Sequence, residues 1–160
     1  SDSKEKKNKE DIFKPVKFGE YSFYEELLEE ENEKEYEKFV KDIERAIRRS
    51  IEMKDYIRFL RDEVNLHNCY FLSGVSADDV DIEFHHHPFT LFDITQIACD
   101  LLLKNNKEEQ EVSSLATAQK VVEWHYDGMV GLVPLSKTVH ELAHAKQIII
   151  PPSAIFGVTL

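Results

Sequence analysis

The sequence predicts an α+β fold in which a mostly helical domain encloses a small pair of strands. Most apolar residues recur at helical spacing, whereas one short segment alternates apolar and polar residues with a period of two. Hydrophobic residues make up 42% of the 160 positions, which is enough for a packed core and excludes a wholly disordered chain.

Four helical segments are predicted along the chain. The first, from about Tyr36 to Val64, carries an apolar stripe and is interpreted as one long helix or two consecutive helices. The others are predicted from Thr90 or Asp93 to about Leu103, from Ser113 or Ser114 through Trp124, and from Lys137 to about Gln147. Ser136 is a favourable N-cap for the last of these helices.

Two strands are predicted between the helices. Val80 to His85 alternates apolar and polar residues and is limited by Pro88, and Met129 to Leu135 is a short apolar strand. The terminal segment, 148–160, is apolar and contains prolines, so we expect a terminal strand or an extended segment.

The charge is strongly acidic but unevenly placed. The net charge is −11, and nine glutamates against Lys34 between Glu20 and Glu37 supply −8 of it, which leaves −3 for the rest. An acidic balance argues against nucleic acid as a partner, but this run lies outside the predicted strands. It is interpreted as a solvated helix face or charged linker, or else as an acidic arm that mimics nucleic acid or shields a basic site from it. Such an arm is a candidate surface for a protein partner.

The predicted organisation has three parts. Residues 1–19 are expected to form a disordered tail, 20–66 an acidic and then arginine-rich helical arm, and 67–160 the domain that carries the strands. Arg45, Arg48 and Arg49 in the arm either pair with nearby acids or contact phosphate.

Cysteine use and hydropathy indicate the compartment. Cys69 and Cys99 are isolated and form no CxxC pair, which fits a reducing compartment such as the cytoplasm of a bacterial or phage-infected cell. No apolar run approaches the roughly 20 residues that span a bilayer, so no membrane partner is expected.

Histidines form the most informative pattern. His140 and His144 lie four apart on the predicted last helix, so they share one face and can bind one metal ion if a third ligand comes from elsewhere. On a strand, His85 and His87 face one way and His86 the other, so this triplet offers a ligand on one face and a free imidazole on the other. A lone histidine such as His67 is an ordinary surface residue, and His125 suits a helix C-terminus.

The helix also matches a zinc-protease pattern. The segment from His140 to His144 reads HELAH and resembles the HExxH helix of zinc metalloproteases, with Glu141 as the general base. No His, Asp or Glu follows His144 as a third ligand, and His140 falls in the first turn after Ser136, so this function ranks last.

A longer resemblance spans both strands and the last helix. The segment 82–86 reads IEFHH and is followed by Pro88, and 131–144 reads GLVPLSKTVHELAH. Together they resemble the "LEVHHxxP" and "NLVPLCxxCHxLxH" segments of HNH nucleases, and HHHPFTLFDI resembles HNH-like proteins of bacteriophages. The resemblance covers roughly Cys69 to Gln147 and implies a ββα-metal finger, interrupted by two helices between its strands.

This resemblance implies a metal-dependent endonuclease that hydrolyses phosphodiester bonds of DNA or, less readily, RNA. His85, His140 and His144 would bind a divalent ion such as Mg²⁺, Mn²⁺, Ni²⁺ or Zn²⁺, and His86 would be the general base that activates water. The possible accessory residues are His87, His125 and Asp127. The asparagine of the family is replaced by Gly131, so the alternative is a catalytically inactive HNH-fold adaptor that binds a protein or nucleic acid.

Overall fold

The computed structural model describes the side chains of residues 33–72, 81–105 and 111–157, together with the backbone of Phe23 and Tyr24. The predicted tail, most of the acidic run, and the polar stretches at 73–80 and 106–110 lie outside the described residues. Within the described part, the α+β prediction is confirmed, since five helices accompany small antiparallel sheets.

The elements follow one another in a mostly helical order. The helices are α1 (Glu33–Arg49), α2 (Ile51–Asp62), α3 (Leu91–Asn105), α4 (Ser114–Tyr126) and α5 (Lys137–His144). The strands are β1 (Phe23–Tyr24), β2 (Ile82–His86), β3 (Glu111–Val112) and β4 (Leu132–Ser136), and a 3₁₀ turn covers Pro152–Ala154. In the described part of the chain, no helix is both long enough and apolar enough to cross a membrane.

The first long helical segment is two helices because of Ser50. The Ser50 hydroxyl donates a hydrogen bond to the carbonyl of Ile47 at 2.7 Å and accepts one from the Met53 amide at 3.1 Å. A serine in this position ends one helix and caps the next. The structure thus decides between the two alternatives that the periodicity left open.

The chain divides into two compact units. The first unit comprises 1–54 and 91–124, and the second comprises 55–90 and 125–160. In the first unit, α1 packs against α3, and β1 pairs with β3. Its core cluster contains Tyr36, Val40, Cys99, Leu103 and Val112.

The second unit contains the two strands that the sequence predicted. β2 and β4 are antiparallel, with Glu83 opposite Leu135 and His85 opposite Val133. α5 follows β4 without a loop and packs against both strands. Its core cluster contains Cys69, Ile82, Val133, Leu135, Val139, Ile150 and Ala154.

Some of the predicted boundaries differ from the structure. β4 begins at Leu132 rather than Met129, and α5 ends at His144 rather than near Gln147 because the chain turns there, with Lys146 at a φ of 59°. The terminal segment does not form a full strand. Within its described part, 148–157, Phe156 pairs with Leu132 after the 3₁₀ turn, through hydrogen bonds of 2.7 and 2.8 Å.

Candidate metal site

Three imidazoles of the second unit converge between β2 and α5. His85 comes from the middle of β2, and His140 and His144 lie one turn apart on α5. One ring nitrogen of each residue falls within 4.8 Å of the other two. The structure therefore brings together the three predicted metal ligands, although His85 lies more than fifty positions from the other two in the chain.

The spacing of the three rings is that of ligands sharing one ion. The centroid of the His85 ring lies 5.0 Å from those of His140 and His144, which are 4.6 Å apart. With metal–nitrogen bonds of about 2.0 to 2.1 Å, imidazoles on one ion have centroids roughly 5 Å apart. The Nε2 atoms of His140 and His144 are 3.0 Å apart, a distance that suits either a hydrogen bond or two ligands of one ion.

The His85 ring carries an unsatisfied buried atom. His85 is 7% exposed, and its Nδ1 atom makes no hydrogen bond with the described residues. A buried polar atom without a partner costs about 1 to 3 kcal/mol. Burial, followed by the neighbouring His140, His144 and His87, lowers the pKa of His85 to about 4. The ring is thus neutral at pH 7, which is the form that binds a metal.

Glu83 orients His140, one of the three candidate ligands. The Nδ1 atom of His140 and Oε1 of Glu83 are 2.7 Å apart, so the Nδ1–H group donates to the carboxylate. The other nitrogen, Nε2, then presents its lone pair toward His144. Carboxylates commonly fix metal-binding histidines in this way. The sequence reasoning missed Glu83, although the period-two alternation of β2 places it on the same face as His85.

His86 lies on the opposite face of β2 and has a different environment. It is 9% exposed, and its Nε2 atom lies 2.9 Å from Nε2 of His125, which is fully buried. The Tyr56 ring contacts His125 edge-on, with centroids 5.9 Å apart. The predicted free imidazole is therefore held in a buried hydrogen bond.

The other predicted site residues are dispersed. The His87 ring lies beside that of His85, with centroids 5.7 Å apart, whereas Asp127 is exposed in the turn after α4. In the first unit, Arg45 pairs with Asp42 at 3.3 Å, and Arg48 pairs with Glu44 at 2.9 Å. Arg49 is exposed near the end of α1. A role for these arginines in binding phosphate stays a prediction.

Comparison with known proteins gives one match. A family model described as "Bacteriophage G278-like virion protein" matches residues 2–159, and no HNH family matches. Searches of curated proteins and of solved structures found no significant match.

The match corrects the functional prediction. The predicted HNH endonuclease is wrong, as is the metalloprotease alternative, because a virion protein family covers almost the entire chain. The match does not support the HNH-fold adaptor either. The buried bond between His86 and His125 gives a physical reason, since the ring that was to activate water faces away from the three converging histidines. The chain belongs to the bacteriophage G278-like virion protein family.

Proposed function

We propose that the chain is a structural component of a phage particle and that a divalent transition-metal ion, bound by His85, His140 and His144, braces its second unit. The family match supports the first part of this proposal. The convergence of three imidazole nitrogens within 4.8 Å is the observation that carries the second part.

The brace would act on a ββα arrangement of β2, β4 and α5. α5 has only eight residues, and a helix of that length is marginal by itself in water. Of its residues only Val139 is fully buried, at 6% exposure, so its packing on the strands is modest. An ion shared by His85 on β2 and the two α5 histidines would tie this helix to the strands.

The ligand set indicates the class of metal. All three proposed ligands are imidazole nitrogens, which suit Zn²⁺, Ni²⁺ and Cu²⁺. Mg²⁺ prefers oxygen ligands and near-ideal octahedral geometry. Of the ions that the sequence suggested, we therefore propose Zn²⁺ or Ni²⁺ ahead of Mn²⁺ and Mg²⁺.

Metal binding is tested on the purified full chain after chelation and reloading with Zn²⁺. Elemental analysis should find one ion per chain, and competition with a chromophoric chelator gives the dissociation constant. His144→Ala removes an exposed proposed ligand without opening a core cavity, so it should weaken Zn²⁺ binding. His67→Ala, a histidine of the same unit outside the cluster, is the matched control. Equal binding by His144→Ala and wild type would reject the metal part.

The structural role is tested on purified particles. Quantitative mass spectrometry should find the chain in a fixed copy number that survives washing with salt. A chain recovered from the lysate but not from particles would reject this part. A DNA partner and a protein partner at the acidic arm stay predictions, and crosslinking within the same particles would examine both.

A further inference from the structure

Three imidazoles leave a tetrahedral ion one ligand short. Structural zinc sites are almost always closed by four protein ligands, whereas catalytic sites keep one position for water. Which of these the virion protein has depends on the donors beside the three histidines. On this face of β2 the described neighbours are Glu83 and His87.

Glu83 is already engaged. Its carboxylate accepts a hydrogen bond of 2.7 Å from Nδ1 of His140, which leaves Nε2 of that ring directed elsewhere. Turning Glu83 toward a metal would release the hydrogen bond that orients His140. It is therefore a poor candidate for the fourth ligand.

The His87 ring lies beside that of His85 and is not held by another described side chain. Its backbone amide donates to the carbonyl of Gly131 at 3.0 Å, which continues the β2–β4 pairing by one residue and fixes the main chain. It stands two positions after His85 and so points to the same face. The ring is partly exposed and makes no hydrogen bond with the described residues, so turning it breaks none.

The spacing of the His87 and His85 rings is close to that of two ligands on one ion. The His87 and His85 ring centroids are 5.7 Å apart, against roughly 5 Å for two imidazoles on one tetrahedral ion. His87 is not among the nitrogens that already lie within 4.8 Å of one another. A side-chain rotation on metal binding is therefore required, whereas the backbone can stay in place.

We propose that His87 supplies the fourth ligand and closes the site into a four-histidine structural centre, an inference that rests on the proposed metal site at His85, His140 and His144. A closed centre leaves no position for a water or an external anion. The third histidine of the triplet thereby gains a role as a ligand, whereas His86 remains on the opposite face.

The test uses the full chain loaded with Co²⁺, whose visible spectrum reports coordination number and ligands. Azide is added as a probe, because it binds an open position on the ion and changes this spectrum. The wild-type spectrum should not respond to azide, whereas His87→Ala should keep one bound ion and respond. His87→Ala should also weaken Zn²⁺ binding at least about tenfold, because one of four bonds is lost. His67→Ala is the matched control and should behave as wild type.

The outcomes separate the two proposals. If azide shifts the wild-type spectrum as it shifts that of His87→Ala, the proposal of a fourth ligand is wrong. The proposed three-histidine site is then unaffected. Wild-type protein that binds neither Co²⁺ nor Zn²⁺ would overturn both. Circular dichroism of the metal-free variants shows whether His87→Ala keeps its fold. If it does not, His87→Gln, which retains a polar side chain of similar length, takes its place with the same expected response to azide.

Discussion

His86 shows how one residue's surroundings decide its role. Adjacent strand positions face opposite sides, so His85 reaches the candidate metal site while His86 points to the end of α4. There it forms a buried pair with His125, which also contacts the Tyr56 ring. The pair joins a strand to a helix end within the second unit. We therefore expect it to contribute to stability.

His125→Ala should destabilise the second unit. The substitution removes a fully buried ring and its hydrogen bond to His86, at a cost of about 2 to 4 kcal/mol. The shift of the urea midpoint at constant m-value measures this cost. His67→Ala is the control and should stay within about 0.5 kcal/mol of wild type. A midpoint for His125→Ala equal to that of the control would show that the pair adds nothing.

A second buried group lies in the core of the first unit. Cys99 is fully buried, and burial raises the pKa of its thiol to about 11 from an ordinary 9.0. The Asp100 charge raises it further, whereas hydrogen bonds with Tyr36 and Thr117 act in the opposite direction. Burial likewise raises the pKa of Tyr36, whose hydroxyl donates to Asp100.

Stability should fall at alkaline pH. Between about pH 9 and 11 the folded state keeps the Cys99 proton that the unfolded chain releases, so its contribution is complete below pH 9 and is lost as pH rises toward 11. Unfolding free energies measured by urea titration across this range should decrease, and Cys99→Ala should make the decrease shallower. An identical slope in the variant would contradict the assignment to this thiol. Tyr36 adds a loss of the same sign above pH 10, its ordinary pKa.

Among the elements, α5 carries two of the three proposed ligands and depends on the residue that caps it. Ser136 ends β4 and also caps α5, since its hydroxyl accepts a hydrogen bond from the Val139 amide at 3.3 Å. The direct change from strand to helix fixes where the helix begins. It thereby fixes which face presents His140 and His144.

Ser136→Ala should weaken both the helix and the proposed metal site. Loss of an N-cap costs about 1 kcal/mol, and an eight-residue helix is only marginally stable by itself. The thermal midpoint should therefore fall, and Zn²⁺ affinity should fall with it. Ser136→Thr keeps the capping oxygen and should restore most of both. Zn²⁺ affinity equal to wild type in Ser136→Ala would show that the ligands do not depend on the cap.

At the scale of the whole molecule, the chain forms two units with separate cores. The candidate site belongs to the second unit alone, because β2, β4 and α5 all lie there. An ion that binds a folded unit stabilises that unit by mass action, by about 2.7 kcal/mol at a hundred times its dissociation constant. A bound ion should therefore stabilise the second unit and leave the first unit unchanged.

Hydrogen exchange followed by mass spectrometry checks this locality. Addition of Zn²⁺ should slow exchange in peptides that cover β2 and α5. It should leave α1 and α3 of the first unit unchanged. Slower exchange along the entire chain, or no change in exchange, would contradict local stabilisation of the second unit by the ion. His144→Ala in the same experiment shows whether any slowing requires the cluster.

Much of the candidate site could be read from residue spacing. The i, i+4 spacing placed His140 and His144 on one face, and the alternation in β2 offered a further ligand from the histidine triplet, because both periods are local properties of helix and strand. The choice of His85 within the triplet came from the resemblance to HNH nucleases. The roles of Glu83 and His125 could not be read in this way. Each depends on a neighbour far along the chain, His140 for one and His86 for the other.

The sequence by itself determined the fold class, most element positions and the pairing of His140 with His144 on one helix face, since these follow from short-range periodicity and capping. The sequence also led to a wrong functional prediction. Two strands followed by a helix with paired histidines occur in HNH nucleases, whereas the family match is to a virion protein. Only the tertiary structure placed His86 against His125, left the His85 nitrogen unsatisfied beside two further imidazoles, and set Glu83 on His140. Burial and long-range contact decide whether an imidazole is a base, a ligand or a packing group, and neither is a local property of the chain.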